Sequence, residues 1–310
     1  MSTESPRPIN TILAATGLSP ESIGGLMLAS DLAKRRNATL HVAHVIEPST
    51  RIEEQALPGI VEGHKKIACE ELAKFCKDHG VEDSATQHVL VGNPESELLK
   101  LRASLKADVL VVGRYGKGGL KRGRLGSIAN RLVRKCQVSV LVAHPEFRGS
   151  ITRIGVACDF HEESHVELQR AIMLASVFGI TEVSVLASYE VPAGYHTIMT
   201  WDEACEKLEA ALRESAKSAL EQANKSTKAD APEWKVRLEE GSPASRIAAM
   251  AKEEHLDMLI LGTHGRTRIG MALLSRTSEK IIDAAGCSVW AEREAGRFEG
   301  FLDALKEWSE

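Results

Sequence analysis

Residues 107–116 read ADVLVVGRYG and residues 256–265 read LDMLILGTHG, and this pair indicates the fold because the second stretch repeats the first 149 positions later. Each stretch is an apolar run of Val, Leu, Ile or Met that leads into two glycines. A continuous apolar run without polar alternation is typical of a strand buried on both faces of a parallel sheet. Glycines at the end of such a strand allow the backbone to approach a ligand closely.

The rest of the chain repeats in the same order, which indicates a tandem duplication. The other matched segments are INTILAA at 9–15 with TRIGVAC at 152–158, TLHVAHV at 39–45 with EVSVLAS at 182–188, VGNPESEL at 91–98 with EGSPASRI at 240–247, and VSVLVA at 138–143 with CSVWAE at 287–292.

Segments with helical spacing of apolar residues alternate with these runs, at 22–36, 62–79, 95–104, 164–178, 203–223 and 244–254. Alternation of strands and helices predicts a parallel sheet with right-handed crossovers. We therefore predict an α/β protein of two tandem, five-stranded, doubly wound, Rossmann-like domains. The predicted domains are residues 1–148 and 149–293, and residues 294–310 are predicted to add an amphipathic C-terminal helix.

The composition restricts the classes of partner. The 310 residues carry a formal net charge of −4 and only 4% aromatic side chains. An acidic total gives no general attraction to nucleic acid or to an anionic membrane, and few aromatics disfavour a stacking surface for single strands. The first ten residues, MSTESPRPIN, lack the pattern of a signal peptide, and no apolar run is long enough to span a bilayer. We expect a cytoplasmic protein that binds neither nucleic acid nor membrane.

The most specific candidate site follows the fourth predicted strand. Gly113 and Gly116 are followed nine residues later by Gly126-Ser127, which opens a predicted helix. Free backbone N–H groups, a hydroxyl cap and the positive end of the helix dipole would favour an anion there. No Asp or Glu occurs between positions 109 and 145, whereas eight cations do: Arg114, Lys117, Lys121, Arg122, Arg124, Arg131, Arg134 and Lys135. We interpret the stretch as a phosphate site, with a solvated basic loop as the alternative.

The spacing G113-x2-G116-x9-G126-S127 resembles the nucleotide-binding signature of the universal stress protein family, and the strand order resembles the family's in both halves. The resemblance implies the Rossmann-like fold shared with adenine nucleotide alpha hydrolase-like proteins, and a pseudo-dimer of the two domains through their last strands, 138–143 and 287–292. It also implies bound ATP with Mg²⁺. The residues that it assigns to the adenosine side are Ala15, Thr16 and Val45, and those that it assigns to the turn and the phosphates are Val112, Gly113, Tyr115, Gly116, Gly126, Ser127 and Ile128.

Each half departs from the family's pattern in a different place. ATP-binding members carry an Asp just after the first strand, but the first half has Gly17 there, whereas the second half has Asp159. The second half keeps Gly262 and Gly265 but has Ser275-Arg276 in place of Gly-Ser. We therefore expect the first half to bind nucleotide and the second to be degenerate, with its site residues limited to Asp159, Gly262 and Gly265.

Other candidate sites are weaker. No P-loop sequence and no cysteine zinc pattern occurs. His161 and His165 could share one face of a helix and hold a metal with Asp159 or Glu162, but two surface histidines are the simpler interpretation, and we predict no metal site. We treat His41 and His44 as core or interface residues, because they alternate along one strand.

Three functions fit these observations. The first is a stress-response regulatory protein that binds ATP or a related nucleotide in its first half. The second is a scaffold without nucleotide, whose second half holds another ligand such as a metal or small molecule. The third is slow ATP hydrolysis or phosphotransfer, which no residue requires, so we expect no enzyme. The protein partner stays unidentified, and a homo-oligomer is left open.

Overall fold

The computed structural model describes residues 6–47, 59–116, 125–147, 149–160, 166–263 and 275–293. The chain divides into two compact units. Residues 8–150 form the N-terminal unit, and residues from 151 onward, together with the first residues of the chain, form the C-terminal unit. The predicted C-terminal helix at 294–310 lies outside the described residues. Within the described ranges, no helix combines the length and apolarity needed to cross a bilayer.

The N-terminal unit alternates strands and helices. Its elements are β1 (Thr11–Ala15), α1 (Ile23–Arg36), β2 (Thr39–Ile46), α2 (Ile60–Asp78), β3 (Ala85–Val91), α3 (Pro94–Leu105), β4 (Val109–Gly113), α4 (Ser127–Lys135) and β5 (Ser139–Ala143). The strands pair in parallel in the order β3-β2-β1-β4-β5. Because β2 and β4 lie on opposite sides of β1, the strand order reverses at β1, and ligands bind beyond such a point in open α/β sheets.

The C-terminal unit repeats this topology. Its elements are β6 (Ile154–Ala157), α5 (Val166–Phe178), β7 (Glu182–Tyr189), α6 (Trp201–Ser226), β8 (Glu233–Glu240), α7 (Pro243–Glu253), β9 (Met258–Gly262), α8 (Arg276–Ala284) and β10 (Ser288–Glu292). The parallel order is β8-β7-β6-β9-β10. The predicted α/β class and tandem repeat are confirmed.

The repeat extends to single hydrogen bonds. Asp108 Oδ2 accepts from the backbone N–H groups of Asn10 and Thr11, at 2.8 and 3.0 Å. Asp257, 149 positions later, accepts from two N–H groups at the start of β6 at the same distances. Each carboxylate thus ties the start of the fourth strand of its unit to the start of the first.

Burial follows the position of each strand. The described residues of β4 and β5 are almost all buried, as are those of β9 and β10, because helices cover both faces of a doubly wound sheet. The outer strands β3 and β8 are half-buried along their length. The pairing that we predict between 138–143 and 287–292 concerns the two units together and stays a prediction.

The start of α1 packs closely against the loop after β5, and this contact requires glycine. A Cβ on Gly24 would lie 2.2 Å from the backbone oxygen of His144, which no side chain can accommodate without a backbone shift. Gly63, in the interior of α2, is exposed and has nothing within 4 Å of an added Cβ.

We predict opposite effects of the same substitution at these two glycines. Gly24→Ala should lower the free energy of unfolding by about 1–3 kcal/mol, because the helix must move from the strand end. Gly63→Ala should raise it by about 0.5–1 kcal/mol, because Ala restricts the unfolded chain in an unhindered helix position. Calorimetric unfolding of the full chain measures both, and an unchanged or raised free energy of unfolding in Gly24→Ala would contradict the close contact at Gly24.

Candidate functional site

A pocket of about 170 Å³ lies beyond the carboxyl ends of β1, β2 and β4 in the N-terminal unit. The register brings these ends together, because Ala15 pairs with both Ala43 and Val112. The structure places around this one pocket all ten residues that the sequence assigns to a site in the first half: Ala15, Thr16, Val45, Val112, Gly113, Tyr115, Gly116, Gly126, Ser127 and Ile128. Whether these residues bind nucleotide stays a prediction.

Glycines line one end of the pocket because backbone segments meet there. The N–H of Gly126 donates to the oxygen of Arg114 at 2.9 Å, which brings the start of α4 against the turn after β4. A Cβ on Gly126 would lie 3.3 Å from Gly116 N, and a Cβ on Gly113 would lie 3.3 Å from the oxygen of Glu21. Side chains at these positions would enter the space between the segments.

The start of α4 offers unpaired N–H groups to this end of the pocket. Its N-cap is Gly126, and no side chain caps the helix. The predicted hydroxyl cap is therefore wrong, because Ser127 is the first helical residue and not the N-cap. No bond from the N–H of Ser127 or Ile128 to another described residue is present, and both residues line the pocket. Two such groups and the positive end of the helix dipole favour an anion.

The described cations of the basic stretch do not line this pocket. Lys117, Lys121, Arg122 and Arg124 lie outside the described residues, and none of the four described cations lines the pocket. Arg131 and Lys135 both form ion pairs with Glu95 of α3, at 3.0 and 2.5 Å. The 109–145 stretch contains no acid, but in the fold Glu95 of α3 lies beside it and pairs with two of its cations.

The opposite end of the pocket is formed by the ends of β1 and β2. Thr16 Oγ1 lies 2.9 Å from Ser22 Oγ, which joins the end of β1 to the turn before α1. His44 Nδ1 lies 2.9 Å from the backbone oxygen of Thr16. Strand alternation assigned His44 to the core or an interface, but the residue lines the pocket. Its place directly before Val45 at the strand end was the signal that could have identified it.

The equivalent region of the C-terminal unit differs at one helix position. The two units align through their β1–β4 and β6–β9 registers, so Thr16 corresponds to Cys158 and Gly17 to Asp159. Counted from the helix ends at Asn37 and Gly179, which both have positive φ, Gly25 corresponds to Glu167. A Cβ on Gly262, at the end of β9, would lie 3.4 Å from Glu167 Oε2. A carboxyl group thus lies against the strand end where the N-terminal unit has a glycine.

The carboxyl group of Glu167 is desolvated, although the residue as a whole is half-buried. The thiol of Cys158 donates to its Oε1 at 3.5 Å. Burial raises the pKa of Glu167 to about 8, and the carboxyl groups of Asp159 and Glu292 act in the same direction. At neutral pH the group is therefore largely protonated, and it ionises only in mildly alkaline solution.

The start of α8 also differs from the start of α4. Ser275 is the N-cap, and its Oγ accepts from Ser278 N at 3.0 Å. Ser278 Oγ in turn donates to the oxygen of Gly262. Ser275 therefore satisfies a donor of its own helix, which Gly126 cannot do in the N-terminal unit. Arg276 is exposed.

Some of the residues predicted or considered for the C-terminal unit lie outside the described part of the chain. Gly265, His161 and His165 lie outside the described residues, as does Glu162, the alternative metal ligand, whereas Asp159 and Gly262 are described and lie at the ends of β6 and β9. Among the described residues, no three His, Cys, Asp or Glu side chains are arranged to hold a metal ion.

Comparisons with known proteins agree on one family. The model described as "Universal stress protein family" matches residues 8–144 and again residues 150–293. A universal stress protein of Mycobacterium tuberculosis is 24% identical over 314 aligned positions, which cover 94% of this chain and 99% of the relative. Universal stress protein A homolog 1 of Coxiella burnetii is 37% identical over 135 residues, 42% of this chain and 92% of the relative. The crystal structure of a universal stress protein from Archaeoglobus fulgidus has a TM-score of 0.61 at 18% identity, and covers 93% of this chain and 97% of that one.

The buried carboxyl group predicts a specific pH dependence of stability. In the unfolded chain Glu167 ionises near its ordinary pKa of 4.5, whereas in the folded chain it ionises near 8. Between these values the folded state binds more protons, so the free energy of unfolding falls as pH rises through this window and levels off above it. Glu167→Gln removes this pH-dependent contribution to the free energy of unfolding. The variant should gain stability relative to the natural chain between pH 5 and 8, by on the order of a few kcal/mol.

Urea-unfolding midpoints measured from pH 5 to 9 test this expectation. The control is Glu206→Gln, an exposed position on α6. Its curve should run parallel to that of the natural chain. A parallel curve for Glu167→Gln would refute the raised pKa.

Proposed function

The chain belongs to the universal stress protein family, and on that premise we propose that it is a cytoplasmic stress-response protein that binds ATP, as its Mg²⁺ complex, in the N-terminal unit. The observation that carries the proposal is the pocket that joins the ends of β1 and β2 to the uncapped start of α4. An elongated ligand with a flat apolar base and an anionic tail matches such a pocket, because one end is walled by strand-end residues and the other offers N–H groups.

The described residues fit ATP in their donor chemistry. The turn at Gly113–Gly116 and the first N–H groups of α4 would hold phosphate oxygens, and Ala15, Thr16 and Val45 would contact the adenosine. Mg²⁺ would supply positive charge to the phosphates. The pocket lining that the structure describes includes no carboxylate. We therefore propose that the nucleotide acts as a bound effector, not as the substrate of rapid hydrolysis.

For the C-terminal unit we propose that nucleotide does not bind. Two observations support this. Glu167 extends its side chain to the end of β9, where it occupies space that Gly25 leaves open in the N-terminal unit. Ser275 caps α8 and so uses a donor that would otherwise face an anion.

A second candidate function is a scaffold that acts without nucleotide or with another ligand in the C-terminal unit. It is favoured by Gly17, which removes the carboxylate that ATP-binding members of the family carry after the first strand. Cys158, Asp159 and Glu167 give the C-terminal unit a set of groups unlike that of the N-terminal unit. The stoichiometry of ATP binding separates the two functions.

A substitution at Gly126 tests the proposed site. Gly126→Val should weaken ATP binding at least a hundredfold, because its side chain enters a gap in which even a Cβ lies 3.3 Å from Gly116 N. The matched control is Ser275→Val, at the equivalent position of the C-terminal unit, which should leave the affinity unchanged. Isothermal titration with Mg-ATP measures both. An unchanged affinity in Gly126→Val would show that the phosphates do not bind at this site.

A second site should be obtainable by design in the C-terminal unit. Ser275→Gly with Arg276→Ser restores the family's Gly-Ser, but we expect these two changes alone to leave one site per chain because Glu167 remains. Adding Glu167→Gly, which restores the residue found at Gly25, should raise the stoichiometry to two. Two sites in the double variant, or one in the triple variant, would show that Glu167 is not the obstacle.

A further inference from the structure

The described lining of the N-terminal pocket contains one nitrogen-bearing side chain, that of His44. It lies at the end of β2, is half-buried, and belongs to the pocket end away from the glycine turn. The family resemblance assigns this position no role. The function of the His44 ring in this pocket is therefore open to inference from its contacts.

The hydrogen bond to Thr16 determines which ring nitrogen carries the proton. A backbone carbonyl oxygen can only accept, so Nδ1 of His44 must be the donor in the 2.9 Å contact. In the neutral ring the other nitrogen, Nε2, is then an acceptor. No bond from Nε2 to a described residue is present. Because His44 lines the pocket, an acceptor without a partner among the described residues is available there to a donor group on a ligand.

The sheet geometry determines which part of a nucleotide would meet this acceptor. β2 and β4 are separated by β1, and neighbouring strands lie about 4.8 Å apart, so the end of β2 is roughly 10 Å from the end of β4. A nucleotide whose phosphates lie at Gly113 and the start of α4 therefore places its base, not its phosphates, near His44.

A comparison of the two units supports a role in reading the base. His44 corresponds to Ala187 of β7, because Ala15 and Ala157 pair with Ala43 and Leu186 in equivalent registers. The N-terminal unit thus has Gly17 and His44 where the C-terminal unit has Asp159 and Ala187. The polar group at this end of the site lies on the second strand, β2, in the N-terminal unit and follows the first strand, β6, in the C-terminal unit.

We propose that His44 determines base specificity in the N-terminal unit, by accepting through Nε2 a hydrogen bond from the exocyclic amino group of adenine. This inference rests on the proposed ATP site. A fixed acceptor favours a base with an amino group over the same base without one, because in the second case the acceptor is left unpaired. In this pocket His44 supplies a polar group in place of the Asp side chain that ATP-binding members of the family carry at the position of Gly17.

The test compares ATP with purine riboside 5′-triphosphate, which lacks the amino group, in the natural chain and in His44→Asn. Asn retains a donor for the Thr16 carbonyl but has no counterpart of Nε2. The natural chain should bind ATP about five- to tenfold more tightly than the analogue, as expected for one hydrogen bond. In His44→Asn the ratio should fall to about one. The ratio isolates the amino group, because any general distortion of the pocket weakens both ligands.

His41→Asn is the matched control. His41 lies on the same strand, outside the pocket lining, with Nδ1 3.0 Å from His88 Nε2. Its ratio should equal that of the natural chain.

Each other outcome has a distinct meaning. A natural ratio of one, or an unchanged ratio in His44→Asn, overturns the assignment of His44 while the ATP site stands. If His44→Asn instead removes a preference for ATP over 2′-deoxy-ATP, the ring contacts the ribose and the proposal is wrong. If the natural chain binds neither triphosphate, the proposed function fails, and the role of His44 fails with it.

Discussion

The N-terminal site depends on the close approach of three backbone segments at the end of β4. The start of α1, the turn after β4 and the start of α4 meet at Gly25, Gly113 and Gly126, where added Cβ atoms would lie 3.3–3.5 Å from neighbouring backbone atoms. Because no side chain fills the junction, backbone N–H groups of α4 face the pocket. The apolar strands and the hydrogen bonds of Asp108 stabilise the sheet that positions these three segments. The glycines keep the space between the segments open.

The C-terminal unit shows the effect of replacing one of these glycines. Glu167 occupies the helix position of Gly25, and its carboxyl group lies beside Gly262. Burial makes ionisation costly, which raises the pKa of this group to about 8. The C-terminal sheet has the same strand order, and Asp257 makes the same contacts as Asp108. At the end of its fourth strand, however, it has the carboxyl group of Glu167 where the N-terminal unit has Gly25. The two units therefore share a fold but differ at this site.

The sequence predicts the architecture well because the signals are long and repeated. The predicted helix at 22–36 is observed as Ile23–Arg36, and that at 95–104 as Pro94–Leu105. The outer strands β3 and β8 were not located individually, since their half-exposed residues lack a continuous apolar run. The ten residues of the first half meet at one pocket because motif spacing places them at strand ends.

What the sequence could not predict are contacts between distant residues. Glu95 reaches Arg131 and Lys135 from another helix, so the acid-free stretch is less basic in the fold than in the sequence. His44 was assigned to the core or an interface, because strand alternation alone does not show that a strand end opens into a pocket. The contrast between Gly25 and Glu167 lies on helices outside the glycine motif, so motif spacing does not point to it, although the offset of 142 positions that aligns Gly17 with Asp159 also aligns these two residues.

The central claim is that one unit of the duplicated chain binds nucleotide and the other does not. Calorimetric titration of Mg-ATP into nucleotide-stripped full-length protein tests it most directly. The account predicts one site per chain. Two sites would contradict the role assigned to Glu167 and Ser275, and no binding, confirmed by equilibrium dialysis, would contradict the N-terminal site and favour the scaffold.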